Sequence, residues 1–247
     1  MIPAVAIDSV RKSFAGAGGD LLALDDVSLD VAPGEFVSLI GPSGCGKSTL
    51  LNLVAGLARP DRGRVAFAGD AVSGPNTRVG YMTQDDALLP WRNVLDNVAL
   101  ALEIRRVPRP ERIERAREML RLVNLSGFER HLPSQLSGGM RKRVGLARTL
   151  IHRPGMLLLD EPFGALDAQT RTLIQREFKR LVAGLGLGVM LVTHDLREAA
   201  ALSDRIVVFS ARPARIVDDI AVPAGRSPAD LEAIERLMWR HLGGDDV

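Results

Sequence analysis

The stretch Gly41-Pro42-Ser43-Gly44-Cys45-Gly46-Lys47-Ser48-Thr49 fits the pattern GxxxxGK(S/T), and it decides the fold of the chain. Residues 35–40, directly before it, have the length and the apolar, β-branched content of a buried strand, and residues 48–55 have the pattern of a helix. Glycines let backbone N–H groups turn toward a polyphosphate, and a helix N-terminus adds a partial positive charge of about half an electron. The sequence therefore predicts a phosphate-binding loop between a strand and a helix.

Two side chains of this loop have specific predicted roles. Lys47 supplies a positive point charge for β- and γ-phosphates, and the hydroxyl of Ser48 can ligate Mg²⁺. Nearly all basic residues of the chain are arginine, with lysine only at positions 12, 47, 142 and 179, which favours a specific requirement for lysine at 47. The alternative is a glycine-rich turn that only connects strand to helix.

The composition is that of an ordinary globular protein. The chain has 247 residues, of which 46% are hydrophobic and 25% charged, and a formal net charge of +2. Acidic and basic residues alternate, so a pI near 9.0 does not predict a nucleic-acid partner. The single Cys45 excludes an intrachain disulfide and suits a reducing compartment. With no signal peptide and no run approaching 18 apolar residues, we expect any membrane span to come from another chain.

The N-terminal part predicts a small antiparallel sheet. Residues 5–10 and 24–31 alternate apolar and polar side chains as half-buried strands do, with a glycine-rich turn between them. Phe14 lies just before that turn. The pattern alone favours a core position for Phe14 but leaves open a role as a platform for a base. Residues 63–69 and 79–82 predict further strands.

The middle third, about residues 92–153, reads as a helical subdomain. Apolar spacing predicts helices over 93–105 and 110–123, and Ser137 is a suitable N-cap for a third helix that runs to about His152. Gly138 and Gly139 follow that cap, although each glycine costs a helix about 1 kcal/mol. We therefore expect that the backbone at these two glycines must be approached closely, and a second anion site at the start of this helix is the physical candidate.

Polar side chains follow three predicted strands at the ends where an open α/β sheet binds its ligands. Gln84 follows residues 79–82, where its amide can touch Mg²⁺ and a water. Asp160 and Glu161 end a buried strand; Asp160 suits Mg²⁺ and Glu161 suits orienting or deprotonating a water. His194 ends another such strand, where contact with a γ-phosphate is favoured over a purely structural role. Late strands at 204–209 and 214–217 and a helix over 228–241 complete the chain.

In this order, these features resemble the ATP-binding subunit of ABC transporters over nearly the whole chain. The Walker A loop matches 41–49, the Q-loop Gln84, the signature sequence 136–140, the Walker B strand 156–161, the D-loop Ala165-Leu166-Asp167 and the switch histidine His194. The signature departs at Met140, where glutamine is most common, with little functional loss expected. The resemblance implies one ABC-type ATPase domain over 1–247, with an α/β P-loop NTPase (RecA-like) core, an N-terminal antiparallel β subdomain and the helical subdomain.

The resemblance also implies a mechanism with ATP and Mg²⁺. Two copies form a homodimer that sandwiches two ATP molecules, each between one copy's Walker motifs and the other copy's signature. Glu161, His194 and Lys47 are the implied catalytic residues, and Ser48, Gln84 and Asp160 the implied metal ligands. Phe14 is implied to stack on adenine, against the core position that the pattern favoured. The implied nucleotide contacts are Phe14, Gly41, Pro42, Ser43, Gly44, Cys45, Gly46, Lys47, Ser48, Thr49, Gln84, Ser137, Gly138 and Gly139.

Within the family, residues 87–94 and 238–242 resemble the nitrate, sulfonate and taurine importer branch. This implies a peripheral subunit at the cytoplasmic face of the inner membrane, bound to membrane permease subunits and served indirectly by an extracytoplasmic solute-binding protein. Residues 88–91 are apolar for an exposed loop, so we expect them to flank the surface that receives a permease helix. The alternatives are a soluble ABC ATPase outside transport, or a small-molecule kinase, in which a signature sequence has no role.

Overall fold

The computed structural model describes residues 2–16, 19–85, 87–164, 168–225 and 227–241. The chain divides into two compact units, Met1–Thr77 with Leu181–Val247, and Arg78–Arg180. Its elements are β1 (Val5–Phe14), β2 (Leu21–Val31), β3 (Phe36–Ile40), α1 (Lys47–Val54), β4 (Arg62–Phe67), β5 (Asp70–Ala71), β6 (Val79–Met82), α2 (Val94–Ile104), α3 (Arg109–Leu122), a 3₁₀ turn (Pro133–Gln135), α4 (Gly138–Leu150), β7 (Met156–Asp160), α5 (Ala168–Leu185), β8 (Gly188–Val192), α6 (Leu196–Leu202), β9 (Arg205–Phe209), β10 (Ile216–Ala221) and α7 (Pro228–His241).

The first unit contains the antiparallel sheet that the N-terminal sequence predicts. Strands β2, β1, β4 and β5 follow one another in that order, and β1 pairs antiparallel with both β2 and β4. Val5 lies opposite Val31 on one side and Phe67 on the other, and all three side chains are buried. The strands are longer than predicted, since β1 continues to Phe14 and β2 begins at Leu21.

The first unit also contains a mixed sheet in which β10, β9, β3 and β8 lie in that order. The central strand β3 runs parallel to β8 and to β9, and every residue of β3 and β8 is buried. A parallel strand covered on both faces reads as a continuous apolar run, which is why the sequence predicts β3 and β8 so clearly. Strand β10 pairs antiparallel with β9. The α/β class is confirmed.

The second unit combines two parallel strands with the helices of the middle third. Strand β6 pairs with β7, so that Val79 lies opposite Met156 and Met82 opposite Leu159. Helices α2, α3 and α4 share one apolar core; its buried members are Leu88, Val94, Val98, Ala99, Leu102, Ala116, Leu120, Val123, Leu125, Leu136, Val144, Ala147 and Ile151. The helices thus form where the apolar spacing predicts them, while a separate subdomain over 92–153 stays a prediction.

Candidate functional site

The phosphate loop has a backbone that favours glycine at three positions. Gly41, Gly44 and Gly46 have φ angles of 155°, 69° and 137°. A Cβ on Gly41 would lie 2.8 Å from the carbonyl oxygen of Phe209, and a Cβ on Gly46 would lie 2.9 Å from that of Ala23. Glycine is therefore required here both by the backbone dihedrals and by the close approach of neighbouring backbone.

Lys47 is anchored within the same loop. Its side chain is only 7% exposed, and Nζ donates to the carbonyl oxygens of Gly41 and Pro42, both at 2.8 Å. The N–H of Cys45 donates to the same Pro42 oxygen at 3.3 Å, and the Cys45 thiol is buried. The ammonium group is thus held among the loop carbonyls, at the position where the sequence predicts a charge for phosphates.

Helix α1 starts directly after this loop and presents its N-terminus to it. Its N-cap residue is Gly46, which has no side chain that could accept the first N–H groups of the helix. The first turn carries no acidic residue, and Ser48 in that turn is exposed. These N–H groups and the helix dipole favour an anion. The arrangement suits the binding of a phosphate.

Phe14 lies at the end of β1 with an exposed ring. The residue is 43% exposed, which does not fit a core position. Nζ of Lys12 lies 5.4 Å from the ring centroid and 2.8 Å from Oδ1 of Asp61. Oδ2 of Asp61 accepts the N–H of Ser13 at 2.6 Å. The Lys12 ammonium and the Ser13 N–H lower the pKa of Asp61, so this carboxylate anchors the strand end that carries Phe14.

His194 follows β8 as predicted, and its ring is exposed. The residues on either side are held by hydrogen bonds. The N–H of Asp195 donates to Oγ1 of Thr193 at 3.0 Å, and the Asp195 carboxylate accepts from the N–H groups of Arg197 at 3.0 Å and Glu198 at 3.2 Å. These hydrogen bonds hold the backbone around His194 at the end of the strand.

In the second unit, the structure brings Gln84 and Glu161 together. Asp160 is the last residue of β7 and is buried, while Glu161 is half-buried with a φ angle of 48°. Nε2 of Gln84 donates to Oε2 of Glu161 at 3.3 Å, and the ammonium of Lys142 donates to the Gln84 carbonyl. Burial and the Asp160 carboxylate raise the pKa of the Tyr81 hydroxyl to about 12. The adjacent carboxylates thus occupy different environments, as separate roles require.

Ser137 is confirmed as the N-cap of α4. Its Oγ accepts the N–H of Met140 at 3.3 Å, and Gly138 and Gly139 form the first turn of the helix. The side chain of Met140 packs against the core of the helices of the middle third, which accounts for an apolar residue at this position.

The turn that carries Trp91 is organised by a buried asparagine. Trp91 is 74% exposed, whereas Asn97 in α2 is fully buried. Oδ1 of Asn97 accepts the N–H of Leu89 at 2.8 Å, and Nδ2 donates to the carbonyls of Leu89 at 3.1 Å and Arg92 at 2.9 Å. Of the residues expected to flank a permease surface, Leu88 is only 8% exposed and packs in the core of the second unit, so its side chain does not face outward.

The predicted site residues are divided between the two units. Phe14, the loop 41–49 and His194 belong to the first unit; Gln84, Ser137, Gly138, Gly139, Asp160 and Glu161 belong to the second. The D-loop residues 165–167 lie outside the described residues. Sequence reasoning missed Asn97, and it also missed Arg212, whose guanidinium donates to the carbonyl of Gly44 in the phosphate loop. Neither belongs to a recognisable motif.

Comparisons with known proteins identify the family of the chain. A family model described as ABC transporter matches residues 24–164. The chain is 50% identical over 239 residues to the taurine import ATP-binding protein TauB of Burkholderia thailandensis, covering 94% of this chain and 92% of that protein. It is 45% identical over 234 residues to an uncharacterized ABC transporter ATP-binding protein, MJ0412, of Methanocaldococcus jannaschii, covering 95% and 87%. The chain belongs to the ABC transporter family.

Solved structures place the chain more closely within that family. The dimeric structure of MJ0796, a bacterial ABC transporter cassette, superimposes with a TM-score of 0.82 and 33% identity, over 89% of this chain and 99% of that one. A dimeric post-hydrolysis state of the same cassette, bound to ADP and Pi, gives a TM-score of 0.81 at the same identity and coverage. The protein is the ATP-binding subunit of an ABC transporter. It is an ATPase with the P-loop NTPase fold. Within the described ranges, no helix is long and apolar enough to cross a membrane.

Proposed function

We propose that this subunit powers the import of a small oxyanion, such as nitrate, a sulfonate or taurine, through a separate membrane permease. The observation that carries the proposal is the 50% identity, over nearly the full length of both chains, to a protein named for taurine import. The proposal places the subunit at the cytoplasmic face of the inner membrane, with permease subunits as direct partners. A solute-binding protein outside that membrane is the indirect partner.

The surroundings of the three proposed catalytic residues support the roles that we propose for them. Lys47 binds the β- and γ-phosphates, because the loop holds its ammonium group beside an uncapped helix N-terminus. Glu161 polarises the attacking water, and the amide of Gln84 at 3.3 Å orients its carboxylate. His194, exposed at the end of a buried strand, stabilises the charge that develops on the transferred phosphoryl group.

Three predicted metal ligands suit Mg²⁺ by their chemistry. The Ser48 hydroxyl, the Gln84 amide oxygen and the Asp160 carboxylate are hard oxygen donors, which Mg²⁺ prefers. Asp160 is the charged member of the set and ends a buried strand. These three side chains would hold Mg²⁺, which would neutralise phosphate charge.

We further propose that two copies close on two ATP molecules. The solved cassettes that this chain resembles are dimeric. Helix α4 begins at Ser137 with two glycines, so a phosphate of the partner's nucleotide can approach its N-terminus closely. Phe14 stacks on the adenine of its own chain's ATP, for which its exposed ring is available.

Uptake measurements in the source organism test the transport proposal. Cells that lack this subunit are compared for uptake of labelled taurine, an alkyl sulfonate and nitrate. We expect uptake of at least one of these to be lost, and to be restored by the wild-type chain but not by Lys47→Ala. Unchanged uptake of all three, with no permease recovered when the tagged chain is purified from solubilised membranes, would instead favour a soluble ABC ATPase.

A further inference from the structure

A loop outside every sequence motif holds part of the nucleotide site. Residues 210–215, named here the brace loop, connect β9 to β10 and are tied to β2 by backbone hydrogen bonds. The N–H of Ala214 donates to the Ala23 carbonyl at 2.9 Å, and the N–H of Asp25 donates to the Ala214 carbonyl at 3.0 Å. Nε of Arg215 lies 3.1 Å from Oδ2 of Asp25. The brace loop is thus anchored from both backbone and side chains.

From this anchored position, Arg212 contacts the phosphate loop. Its Nε donates to the carbonyl oxygen of Gly44 at 3.0 Å, and Nη2 donates to the same oxygen. Gly44 has a φ angle of 69°, and a Cβ there would lie 3.1 Å from Nη2 of Arg212. Phe209 lies against Gly41. The end of β9 and the brace loop therefore contact the phosphate loop at two of its three constrained glycines.

The Arg212 bonds fix the orientation of one peptide group. Because the peptide between Gly44 and Cys45 is planar and trans, its carbonyl and its N–H point in opposite directions. Arg212 holds the carbonyl, and the N–H of Cys45 donates to the Pro42 carbonyl at 3.3 Å on the other side. Rotation of this peptide would break both contacts. It would also turn the Gly44 carbonyl dipole toward the Pro42 side of the loop, where it would repel an anion.

We propose that Arg212 is a positioning residue of the ATP site. It keeps the Gly44–Cys45 peptide in the orientation that binds phosphates, and it acts through the loop without touching the reacting atoms. Such an effect is equal in the ground state and the transition state. We therefore expect the Kd and KM for ATP to rise about tenfold when the contact is lost, while kcat stays within about twofold.

Three substitutions separate the hydrogen bond from the charge. Arg212→Met removes both and should raise the Kd for ATP about tenfold, measured by calorimetric titration of the full chain. Arg212→Gln keeps a donor without the charge, because its amide nitrogen is as many bonds from Cα as Nε of arginine, and should recover most of the affinity. If Arg212→Met does not fold, Arg212→Asn replaces it, since its amide falls one methylene short of Gly44.

Arg59 provides the matched control. Like Arg212, it is an arginine of the first unit whose guanidinium donates to a backbone carbonyl in an exposed setting, that of Ser73 at 2.9 Å. Arg59→Met should leave both Kd and KM unchanged. The proposal is overturned if Arg212→Met binds ATP like the wild type, if kcat falls while KM is unchanged, or if Arg212→Gln is as weak as Arg212→Met, because the charge alone would then explain the loss.

Discussion

The phosphate loop and the signature segment, residues 136–140, both place glycines at a helix N-terminus, but for different physical reasons. Gly41, Gly44 and Gly46 have positive φ angles of 155°, 69° and 137°, so the chain's own backbone favours glycine at all three positions. Gly138 and Gly139 lie in the regular helix α4, where a side chain would be accommodated by the dihedrals and would favour the helix. The backbone conformation at Gly138 and Gly139 therefore does not require glycine.

The phosphate loop is held in place by contacts within its own chain. For the start of α4 and for Trp91, we propose that the contacts come from other chains. The phosphate loop has its carbonyls bonded to Lys47, Cys45 and Arg212 of the same chain. In the second unit, Gly138 and Gly139 lie in a regular helical turn, and the ring of Trp91 is exposed. The following experiments test this difference.

The largest effect is expected from Lys47→Ala. The substitution removes the positive charge that faces the phosphates, so ATP hydrolysis should fall by about 100-fold or more and nucleotide binding should weaken. Circular dichroism should show the fold retained. Lys179→Ala, in α5 and outside every motif, is the control and should keep full activity. Unchanged turnover in Lys47→Ala would remove the phosphate-loop assignment.

The next effect concerns the proposed two-chain site. Glu161→Gln keeps shape but removes the base, so ATP should persist and hold two chains together, as seen by size-exclusion chromatography with ATP and Mg²⁺. Adding Ser137→Arg places a bulky cation at the start of α4. The double variant should bind ATP but elute as a monomer. A persistent dimer excludes the signature segment as the contact, and loss of ATP binding assigns Ser137 to its own chain's site.

Trp91→Ala tests whether the exposed ring of Trp91 contacts the permease. The side chain is exposed on an ordered turn, so its loss should abolish most solute uptake or release the permease, while basal ATP hydrolysis of the isolated chain is retained. Uptake and co-purification of the permease from membranes are the measurements. Ile104→Ala, equally exposed at the end of α2, is the matched control. Normal transport by Trp91→Ala would leave the ring as an ordinary surface residue.

A pair of glycine substitutions compares the two helix N-termini directly. Gly41→Ala should destabilise the chain by about 1–3 kcal/mol in urea denaturation, because of its φ angle and the Phe209 carbonyl 2.8 Å from the new Cβ. Gly139→Ala should leave stability equal or raise it by up to about 1 kcal/mol, yet weaken the ATP-dependent dimer of the Glu161→Gln variant. Equal destabilisation by both would mean that α4 itself needs its glycines.

The smallest effect is expected at Phe14. Stacking discriminates little between bases, so GTP should bind within about tenfold of ATP, and Phe14→Ala should weaken both alike by about tenfold, or roughly 1.4 kcal/mol. Nucleotide titration measures both. Leu21→Ala, the exposed residue paired opposite Phe14, is the control. A Phe14→Ala protein that melts early but binds ATP normally once folded would return the ring to a structural role.

Contiguous patterns predicted the elements around the phosphate loop. Strand β3, the loop and α1 follow one another within residues 36–54, so short-range signals of buried strand, glycine turn and helix agree. The same holds for β7, where an apolar run ends at Asp160. Parallel strands buried on both faces have continuous apolar sequences, so their ends are easy to locate. The polar residues at those ends could therefore be assigned to the edge of the sheet where ligands bind.

Contacts that depend on the tertiary fold could not be predicted. Asn97 is a polar residue in a helix and reads as solvent-facing, yet it is fully buried because it bonds the backbone of a preceding turn. Arg212 lies 168 residues from Gly44, so no local pattern joins them. The inward packing of Leu88 could not be predicted either, because an apolar residue in a loop can point to the core or to solvent. The φ angle of 48° at Glu161 also has no sequence signal.

The bonds of Asn97 have a consequence for the kinetics of assembly. The turn from Leu89 to Arg92 is held on both its N–H and carbonyl groups, so its backbone loses conformational freedom when the chain folds and not when a partner docks. Only the two side-chain torsions of Trp91 are left to be fixed by a partner. A partner that binds this ring therefore meets a small entropic barrier, and its association rate should be set by collision and orientation instead of by loop ordering.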